Sequence, residues 1–296
     1  MTGSTGLIGS KIDAKLRLTC DVNTLGRQSS LVDFVIDLDH INDIAALQLP
    51  SSDCLIHCAG VIDEDFKANP VAAYQRATIG TEVLLDAAIA AGVMKFIYIS
   101  STHVYGAQIG EITESSPVNP LSHYALAHYC TEQLFRRAAE KCQGAVVILR
   151  PNAVYGLPAH PESFQRWSLI PFSFTQEAKE KGSITLKSSG MQRRNFVSST
   201  AIADVITRCI EGDLAEESGI INVIGEEAES VYEFAQRCQR VSEKQLGHPC
   251  EIIRKQSYLT VMNASLGSDF NLVSRFKQPR PAKELNEFIT NYIKIC

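Results

Sequence analysis

The amino-acid sequence predicts an α/β fold built on a doubly wound parallel sheet, with a smaller mixed lobe in its C-terminal part. Strand-like and helix-like segments alternate at short intervals through the first half, as expected of a parallel sheet whose connections are helices. A glycine-rich loop at the start and the loss of this alternation after Gly156 are the other two observations. We therefore expect one large sheet domain that carries a smaller appendage.

Apolar runs between turn residues define the elements expected in the first half. Strand-like runs cover 22–25, 34–38, 54–57, 96–99 and 146–149. Apolar residues at helical spacing predict a helix over 71–91, which ends at Gly92. A second long helix is predicted over 122–142, between the last two of these strands.

The second half has a different pattern, because Pro158, Pro161 and Pro171 interrupt its register. Helical spacing predicts helices over 173–181, 201–211 and 231–246. Short apolar runs predict strands over 184–187 and 220–224. We expect part of this half to return to the main sheet and the rest to form the smaller lobe.

Composition and charge exclude several classes of protein. The chain has 296 residues, 45% of them hydrophobic and 21% charged, with a net charge of −5 that provides no basic surface for nucleic acid. No apolar run reaches the roughly 20 residues needed to span a bilayer, and no signal peptide is visible at the start. Nine scattered cysteines without a C-x-x-C pair favour a reducing, cytoplasmic setting, and the histidine spacings match no metal-ligand signature.

The glycine-rich loop has the spacing G-x-x-G-x-x-G, formed by Gly3, Gly6 and Gly9. Glycines at this spacing let the backbone approach a pyrophosphate, and the N–H groups of the following helix can bind it. Such a loop normally follows a strand, whereas only Met1 and Thr2 precede it here. We expect a Rossmann-type sheet whose first strand is truncated.

These observations predict a division of the chain into two parts. A dinucleotide-binding Rossmann domain is expected over 1–156, with 195–224 returning to it. A substrate-binding lobe is expected over 157–194 and 225–296.

A serine and a tyrosine carry the predicted chemistry. Ser101 ends the strand-like run 96–99, and Tyr124 opens the long helix about two dozen residues later. A nicotinamide-dependent enzyme uses such a pair on an alcohol or a ketone: the serine polarises the oxygen and the tyrosine moves the proton. His128 lies one helical turn after Tyr124, so the two side chains could also simply share a half-buried face.

The ordered motifs resemble the extended short-chain dehydrogenase/reductase family, and within it the NAD(P)-dependent nucleotide-sugar epimerase/dehydratase branch. The resemblance extends over nearly the whole chain. Its residues include the glycine loop, Asp37-Leu38, His57-Cys-Ala-Gly60, Gly92 to Ser101, Val104-Tyr105-Gly106, Tyr124, Leu149-Arg150-Pro151, Val154-Tyr155-Gly156 and Arg194-Asn195-Phe196.

The resemblance implies a role for each matching residue. The cofactor pyrophosphate would contact the loop residues Gly3, Ser4, Gly6, Leu7, Ile8 and Gly9. Asp37 and Leu38 would border the adenine, and Ala59 and Gly60 would line the nicotinamide side. Ser101, Tyr124 and His128 would be catalytic, with Tyr124 and His128 also contacting the cofactor. The substrate would be held by Ser101, Thr102, Asn152 and Arg194, the last of which would bind the diphosphate of a nucleotide sugar.

The cofactor and the partners follow from the same comparison. The end of the second strand falls at Arg27, where a cation suits the 2′-phosphate of NADP; NAD or NADP is expected, with a slight preference for NADP, although a solvated surface arginine has the same appearance. The substrate is expected to be a nucleotide sugar. A homodimer packed through the helix of Tyr124 and the helix 71–91 would follow the habit of the family.

Departures from the family pattern limit the catalytic prediction. His128 replaces the expected lysine, Ala77 replaces an asparagine, and Asn152 lies one place before the expected asparagine position, Ala153. Thr102-His103 follow Ser101 where dehydratases have two acidic residues, which argues against dehydration. The expected reaction is epimerisation by hydride transfer at a sugar carbon, C4 in most relatives. The alternatives are a 4-keto reductase that uses NADPH, a weakly catalytic NAD(P)-binding protein and an NADPH reductase of carbonyl compounds without a nucleotide.

Overall fold

A computed structural model describes residues 1–225, 228–254, 269–276 and 284–295. It confirms the predicted α/β class, because a parallel sheet covered by helices is followed by a mixed lobe. The positions 226–227, 255–268, 277–283 and 296 of the predicted substrate lobe lie outside the described residues.

The regular elements have the following bounds. The strands are β1 (Leu25–Gly26), β2 (Phe34–Val35), β3 (Cys54–His57), β4 (Lys95–Ile99), β5 (Glu111–Ile112), β6 (Ala145–Pro151), β7 (Ala153–Tyr155), β8 (Ser183–Leu186), β9 (Arg193–Ser198), β10 (Gly219–Val223), β11 (Ala228–Ser230), β12 (Glu251–Arg254) and β13 (Asn271–Leu272). The helices are α1 (Gly9–Leu16), α2 (Ile41–Ala46), α3 (Asp63–Ala68), α4 (Pro70–Gln75), α5 (Thr81–Ala90), α6 (His123–Cys142), α7 (Ile170–Lys181), α8 (Ser199–Glu211), α9 (Val231–Leu246) and α10 (Glu284–Ile295).

The main sheet contains β10, β6, β4 and β3 side by side, and each neighbouring pair is parallel. Met1 and Thr2 extend the sheet beyond β3. The N–H of Thr2 donates to the carbonyl of Ile56 at 2.9 Å, and the N–H of Leu25 donates to the carbonyl of Met1 at 2.8 Å. The two residues thus stand between β3 and β1, in the place of the first strand.

The strands predicted over 22–25 and 34–38 are shorter than expected. Only two residues of each pair with one another, Leu25 with Phe34 and Gly26 with Val35. The carboxylate of Asp33 accepts hydrogen bonds from the N–H of Thr24 at 2.9 Å and from its hydroxyl at 2.7 Å. The N–H of Thr24 is therefore bonded to a side chain and is not available to extend the pairing of the two strands.

The helix predicted over 71–91 is present as three consecutive pieces. A π-helical segment, Arg76–Gly80, joins α4 to α5. A Cβ at Gly80 would lie 2.1 Å from the carbonyl oxygen of Leu38, so only glycine lets the helix approach this loop so closely. The π segment thereby brings Arg76 beside Asp39, with which it forms an ion pair at 2.7 Å.

The predicted helix over 122–142 is confirmed as α6. The hydroxyl of Ser122 accepts a hydrogen bond from the N–H of Ala125 at 3.2 Å and caps the helix start. Helix α6 packs against the main sheet and α5. Its first two turns hold Tyr124 and His128 one above the other.

The buried apolar side chains form three main clusters, one on each face of the main sheet and one in the lobe. Helices α1 and α8 cover one face, whereas α5 and α6 cover the other. The lobe has its own core, formed by aromatic and aliphatic side chains of α7, α9 and α10. Strands β7, β9 and β11 form a small second sheet beside the main one, while β10 adds residues 219–223 to the main sheet.

Candidate active site

A cleft of about 780 Å³ lies at the carboxyl ends of β3, β4 and β6. Its other walls are the glycine loop and the segment 157–171, the lobe loop. Crevices at the carboxyl ends of parallel strands are the usual ligand sites of such sheets. The cleft brings together these predicted site residues: Gly3, Gly6, Leu7, Ile8, Gly9, Arg27, Gly60, Ser101, Tyr124, His128, Asn152 and Arg194.

Five predicted site residues lie outside the cleft wall. Ser4 and Thr102 are buried beneath it. Leu38 and Ala59 pack on the sheet side with α5 and the strands around them. Asp37 accepts a hydrogen bond from the N–H of Asp39 at 3.1 Å. The contacts expected of these residues with adenine, nicotinamide or substrate stay predictions.

The glycine loop has the geometry needed to receive a phosphate group. Gly3 has a φ of +70°, and a Cβ there would lie 2.5 Å from the N of Ala59. A Cβ at Gly9 would lie 2.0 Å from the carbonyl oxygen of Gly3. The hydroxyl of Ser4 is buried and has no hydrogen-bond partner among the described residues. A backbone surface open to close approach, an unused hydroxyl and the start of α1 fit the pyrophosphate of a dinucleotide.

The imidazole of His128 is held by a buried tyrosine. Its Nδ1 lies 2.6 Å from the hydroxyl oxygen of Tyr98 on β4. Burial raises the pKa of Tyr98 well above 10, so we assign its hydroxyl as the donor. Burial also lowers the pKa of His128 to about 3, with Arg166 contributing further. His128 is therefore neutral at physiological pH and keeps the proton on Nε2.

Tyr124 is surrounded by ring systems and one guanidinium. Its ring centroid lies 4.4 Å from that of His128 and 5.8 Å from that of His103, in edge-on arrangements. The Cζ of Arg166, on the lobe loop, lies 5.7 Å from the same centroid. The side chain of His103 is exposed to the cleft. Desolvation by the surrounding cleft walls lowers its pKa, and repulsion from Arg194 and Arg166 lowers that pKa further.

Ser101 presents a hydroxyl that is free to donate. It caps the short 3₁₀-helix Thr102–Tyr105 and accepts a hydrogen bond from the N–H of His103 at 3.3 Å. Because this bond uses a lone pair, the hydroxyl proton can point at a substrate oxygen in the cleft.

Beneath Ser101 lies a buried ion pair. Arg150 donates to both carboxylate oxygens of Glu132, at 2.8 and 2.6 Å, and the hydroxyl of Ser100 donates to the same carboxylate at 2.5 Å. Both charged side chains are 1% exposed or less. The pair ties α6 to the ends of β4 and β6, and so fixes the two elements that carry Tyr124 and Ser101.

Arg194 is a half-buried cation that faces the cleft from β9. Its guanidinium donates to the carbonyl of Arg193 at 2.9 Å, and it has no acidic partner among the described residues. Desolvation lowers its pKa from the ordinary value. A half-buried guanidinium without an acidic partner in that part of the chain, placed at a cleft wall, fits the oxygens of a diphosphate.

Asn152 has its polar groups occupied by protein. Its amide donates to the hydroxyl of Thr102 at 2.6 Å and to the side chain of Gln108 at 3.1 Å. Its oxygen accepts the N–H of Asn195 at 3.0 Å. With both donors used, Asn152 holds the cleft wall together, and its expected contact with substrate stays a prediction.

The cleft also contains residues that the sequence did not suggest. Arg76 and Asp65 form an ion pair at 3.1 Å, and the lobe loop contributes His160 and Arg166. The three prolines marked the lobe loop as irregular without indicating which of its side chains face inward. Phe164 and Trp167 on either side of Arg166 were the available signal, since an irregular segment with two large apolar residues must dock somewhere.

The described residues offer neither a grouped set of metal ligands nor a membrane-spanning helix. In that part of the chain, no three histidine, cysteine or acidic side chains are grouped so that they could hold a metal ion. Among the helices described there, none combines the length and apolar character required to cross a membrane.

Comparison with known proteins gives two kinds of match by sequence. The model of the NAD dependent epimerase/dehydratase family matches residues 1–225. The dTDP-D-glucose 4,6-dehydratase of Mus musculus is 37% identical over 147 residues, which cover 49% of this chain and 39% of that protein. The UDP-glucose 4-epimerase of Vibrio cholerae is 30% identical over 231 residues, 71% of this chain and 66% of the relative. The chain thus spans little more than a third of the length of the first of these relatives.

Solved structures match the fold over nearly the full chain. A UDP-N-acetylglucosamine 4-epimerase from Methanobrevibacter ruminantium, in complex with UDP-N-acetylmuramic acid, superposes with a TM-score of 0.76. The match covers 99% of this chain and 96% of that one at 20% sequence identity, and it supports the fold. Since the family model covers more than two thirds of the sequence, the chain belongs to the NAD dependent epimerase/dehydratase family.

Proposed function

We propose that the protein is an NAD(P)-dependent epimerase that acts on a nucleotide sugar by hydride transfer at a sugar carbon, C4. The observation that carries this proposal is the convergence of Ser101, Tyr124 and Arg194 with the glycine loop in one cleft. A bound nicotinamide would accept a hydride from the sugar carbon and return it to either face of the ketone that results. The remaining tasks fall to side chains of this chain.

The proton and the oxygen are handled by two hydroxyl groups. Tyr124 takes the proton of the sugar hydroxyl during oxidation and returns it during reduction. Ser101 donates a hydrogen bond to the same oxygen with its hydroxyl proton, while one lone pair of its Oγ accepts the N–H of His103. His128 offers Nε2–H to a neighbouring hydroxyl, such as that of a cofactor ribose, while its Nδ1 stays bonded to Tyr98.

The substrate class follows from Arg194. A half-buried guanidinium without an acidic partner among the described residues suits a diphosphate, and the relatives named above act on nucleotide-linked sugars. Arg194→Ala should raise KM for a nucleotide sugar at least about tenfold. The same substitution should be nearly silent for a simple ketone, so a loss of equal size with both substrates would contradict diphosphate binding.

The cofactor is NAD or NADP, with a preference for NADP. Arg27 lies on the cleft wall beyond β1, where a cation would attract a 2′-phosphate. Fluorescence titration with NADH and NADPH compares the two directly. Arg27→Ala should weaken NADPH binding and leave NADH binding nearly unchanged; equal effects on both would argue against a 2′-phosphate contact.

Two alternatives rest on specific residues. Arg27 also suits a 4-keto reductase, which would consume NADPH stoichiometrically instead of regenerating it. The neutral, buried state of His128 favours a protein that binds cofactor with little catalysis. In that case wild type would bind NAD(P)H without turnover, and His128→Lys would create activity.

A homodimer through α6 and the helical stretch 70–90 is part of the proposal. Val71, Ile79 and Leu126 on these elements are 66%, 47% and 41% exposed. Light scattering should give twice the mass of the chain, and Leu126→Lys with Ile79→Lys should give the monomer. A monomeric wild type would contradict the dimer.

Turnover tests the proposal as a whole. The protein is incubated with UDP- and dTDP-linked sugars and either cofactor, and the products are separated by chromatography. We expect conversion of at least one sugar to its C4 epimer without net consumption of cofactor. Net consumption would favour the reductase, and no conversion of any sugar would contradict the proposal.

A further inference from the structure

Positive charge is concentrated around the cleft, although the whole chain has a net charge of −5. Among the described residues the cleft wall contains one acidic residue and four arginines, which are Asp65, Arg27, Arg76, Arg166 and Arg194. Arg76 is neutralised by ion pairs with Asp65 at 3.1 Å and with Asp39 at 2.7 Å. The other three guanidinium groups have no acidic partner within 4 Å in that part of the chain, so their charge is available to ligands.

Two of these three arginines already have a ligand group in the proposed function. Arg27 lies beyond β1, and Thr2 and β3 separate β1 from β4. With strands about 4.8 Å apart, β1 lies roughly 14 Å from the strand that Ser101 follows, on the cofactor side of the cleft. Arg194 is the proposed partner of the diphosphate. Arg166 is the cation of the three that has no assigned ligand group.

Arg166 lies beside the proposed reaction centre. It is half-buried on the lobe loop, and its Cζ is 5.7 Å from the centroid of the Tyr124 ring. Its guanidinium forms no hydrogen bond and no ion pair with the described residues. A cation so placed would face the part of the substrate next to the oxygen that meets Tyr124.

The lobe loop is fixed on the C-terminal side of Arg166. Trp167 packs edge-on against Phe164 at 4.6 Å and against Phe172 of α7 at 5.7 Å, between ring centroids. The hydroxyl of Ser168 donates to Glu64 on α3 at 3.4 Å. These contacts join the loop to the lobe core and to the Rossmann part. Arg166 is therefore held at the cleft before a ligand binds, which lowers the entropy that binding would cost.

His103 approaches Tyr124 from another side. Its ring lies edge-on to that of Tyr124, with the centroids 5.8 Å apart, and its side chain is exposed to the cleft. Neither ring nitrogen has a hydrogen-bond partner among the described residues. A neutral imidazole still donates one hydrogen bond. Tyr124 is thus flanked by two side chains, Arg166 and His103, whose donors are free.

A carboxylate is the ligand group that these donors match. The planar fork of a guanidinium binds both oxygens of a carboxylate at once, and an imidazole N–H can donate to one of them. In a hexuronic acid the carboxylate is attached to C5, the ring neighbour of C4. It would therefore meet the wall beside Tyr124 while the C4 oxygen meets the phenol. A neutral hexose has a CH₂OH group there, which leaves the guanidinium without an anion.

We infer that the substrate is a nucleotide-linked hexuronic acid whose carboxylate is bound by Arg166, with His103 as a second donor. The inference rests on the proposed reaction at C4 and adds a charged specificity site to it. Arg166 is then the residue that distinguishes an acidic sugar from its neutral counterpart.

Calorimetric titration of the cofactor-loaded protein tests this assignment. The probes are UDP-glucuronic acid and UDP-glucose, together with the dTDP forms of both sugars. Wild type should bind the acidic sugar at least about tenfold more tightly than the neutral one, as expected for hydrogen bonds between charged groups. Arg166→Gln should remove most of this preference by weakening the acidic sugar alone. Arg166→Lys should keep part of it, because the charge stays and the fork is lost.

Two further arginines provide the controls. Arg194→Ala should weaken both sugars by a similar factor, because both have the diphosphate. Arg254 lies 3.7 Å from the ring centroid of Tyr232, away from the cleft, and Arg254→Gln should leave both affinities unchanged. Equal affinities of wild type for the two sugars would overturn the inference. Equal weakening of both sugars by Arg166→Gln would also overturn it, since Arg166 would then bind the diphosphate.

Turnover separates this inference from the function on which it rests. The ratio of kcat/KM for the acidic sugar to that for the neutral sugar should fall at least about tenfold in Arg166→Gln. It should fall about threefold in His103→Ala, and an unchanged ratio there would contradict the second donor. Efficient epimerisation of the neutral sugar without turnover of the acidic one would overturn the inference and leave the proposed function intact. If no nucleotide sugar binds, the proposed function itself fails.

Discussion

The hydroxyl of Tyr98 lies 2.6 Å from Nδ1 of His128, within the interface between β4 and α6. This bond accounts for the orientation of the imidazole, whereas burial, followed by repulsion from Arg166, accounts for its neutral state. It also connects a core residue of the sheet to the group next to Tyr124. The histidine is therefore built into the core packing as well as into the cleft wall.

Removal of that donor should cost stability. Tyr98→Phe leaves Nδ1 of His128 buried without a partner, and such a loss costs about 1–3 kcal/mol. Urea unfolding measures the change in the free energy of unfolding. The control is Tyr74→Phe, which breaks a tyrosine–histidine hydrogen bond of 2.9 Å to His123 at the surface and should cost less than about 0.5 kcal/mol. Equal losses in the free energy of unfolding for the two variants would contradict a hydrogen bond between Tyr98 and His128 that is buried away from water.

Acid should destabilise the protein through its buried histidines. Burial lowers the pKa of both His57 and His128 to about 3. The unfolded state therefore binds more protons between pH 6.5 and 3, so stability is full above pH 6.5 and falls as the pH is lowered through this window. Each histidine should account for about 2 kcal/mol of the free energy of unfolding lost between pH 8 and pH 5.

The share of His128 can be isolated by substitution. Urea unfolding of His128→Gln at several pH values should show a loss toward pH 5 that is smaller than the wild-type loss by about 2 kcal/mol. The exposed His248→Gln should leave the wild-type slope unchanged. If His128→Gln has the same slope as wild type, the histidine is not buried and neutral in the folded state.

The ion pair beneath Ser101 should be costly to break. Glu132→Gln leaves the buried guanidinium of Arg150 without its counter-charge, and such losses are about 3–5 kcal/mol. Replacing both residues with apolar ones, Glu132→Leu and Arg150→Met, should recover much of this stability. Thermal unfolding of the single and double variants provides the comparison. A single variant that is as stable as wild type would show that the pair is hydrated.

The glycine loop should tolerate substitutions unequally. A Cβ at Gly9 would lie 2.0 Å from the carbonyl oxygen of Gly3, whereas a Cβ at Gly6 would lie 3.3 Å from the same atom. Gly9→Ala should therefore weaken NAD(P)H binding at least about tenfold, and Gly6→Ala should have the smaller effect. Fluorescence titration measures both. The reverse order of effects would contradict the loop geometry.

Much of the fold could be predicted from the sequence because its strongest signals are local. Buried runs such as 54–57 and 96–99 became strands, and the helix over 122–142 appeared with its serine cap. The two short strands near Thr24 were overestimated, because the N–H of Thr24 donates to the carboxylate of Asp33 and is not available for strand pairing. The helix over 71–91 contains a π segment that ends at the close contact of Gly80 with Leu38, and a contact between residues so far apart in the chain leaves no local signal.

The candidate site was predicted where motifs define it and missed where tertiary contacts do. Ser101 and Tyr124 follow from their positions at a strand end and a helix start. Arg166 lies in a segment with no periodic pattern, so only the docked loop shows that it faces Tyr124. The partner of His128 could not be predicted either, because Tyr98 lies thirty residues earlier on another element.

The most direct test of the account is the rate of a single turnover in Tyr124→Phe. Enzyme saturated with cofactor is mixed with the nucleotide sugar that wild type converts. Proton NMR follows the signal of the hydrogen on the sugar carbon that reacts. We expect the phenylalanine variant to bind cofactor normally and to react at least about a hundredfold more slowly, because it cannot move the hydroxyl proton. An unchanged rate in a variant that binds cofactor normally would show that another group carries the proton, and would contradict the proposed role of Tyr124.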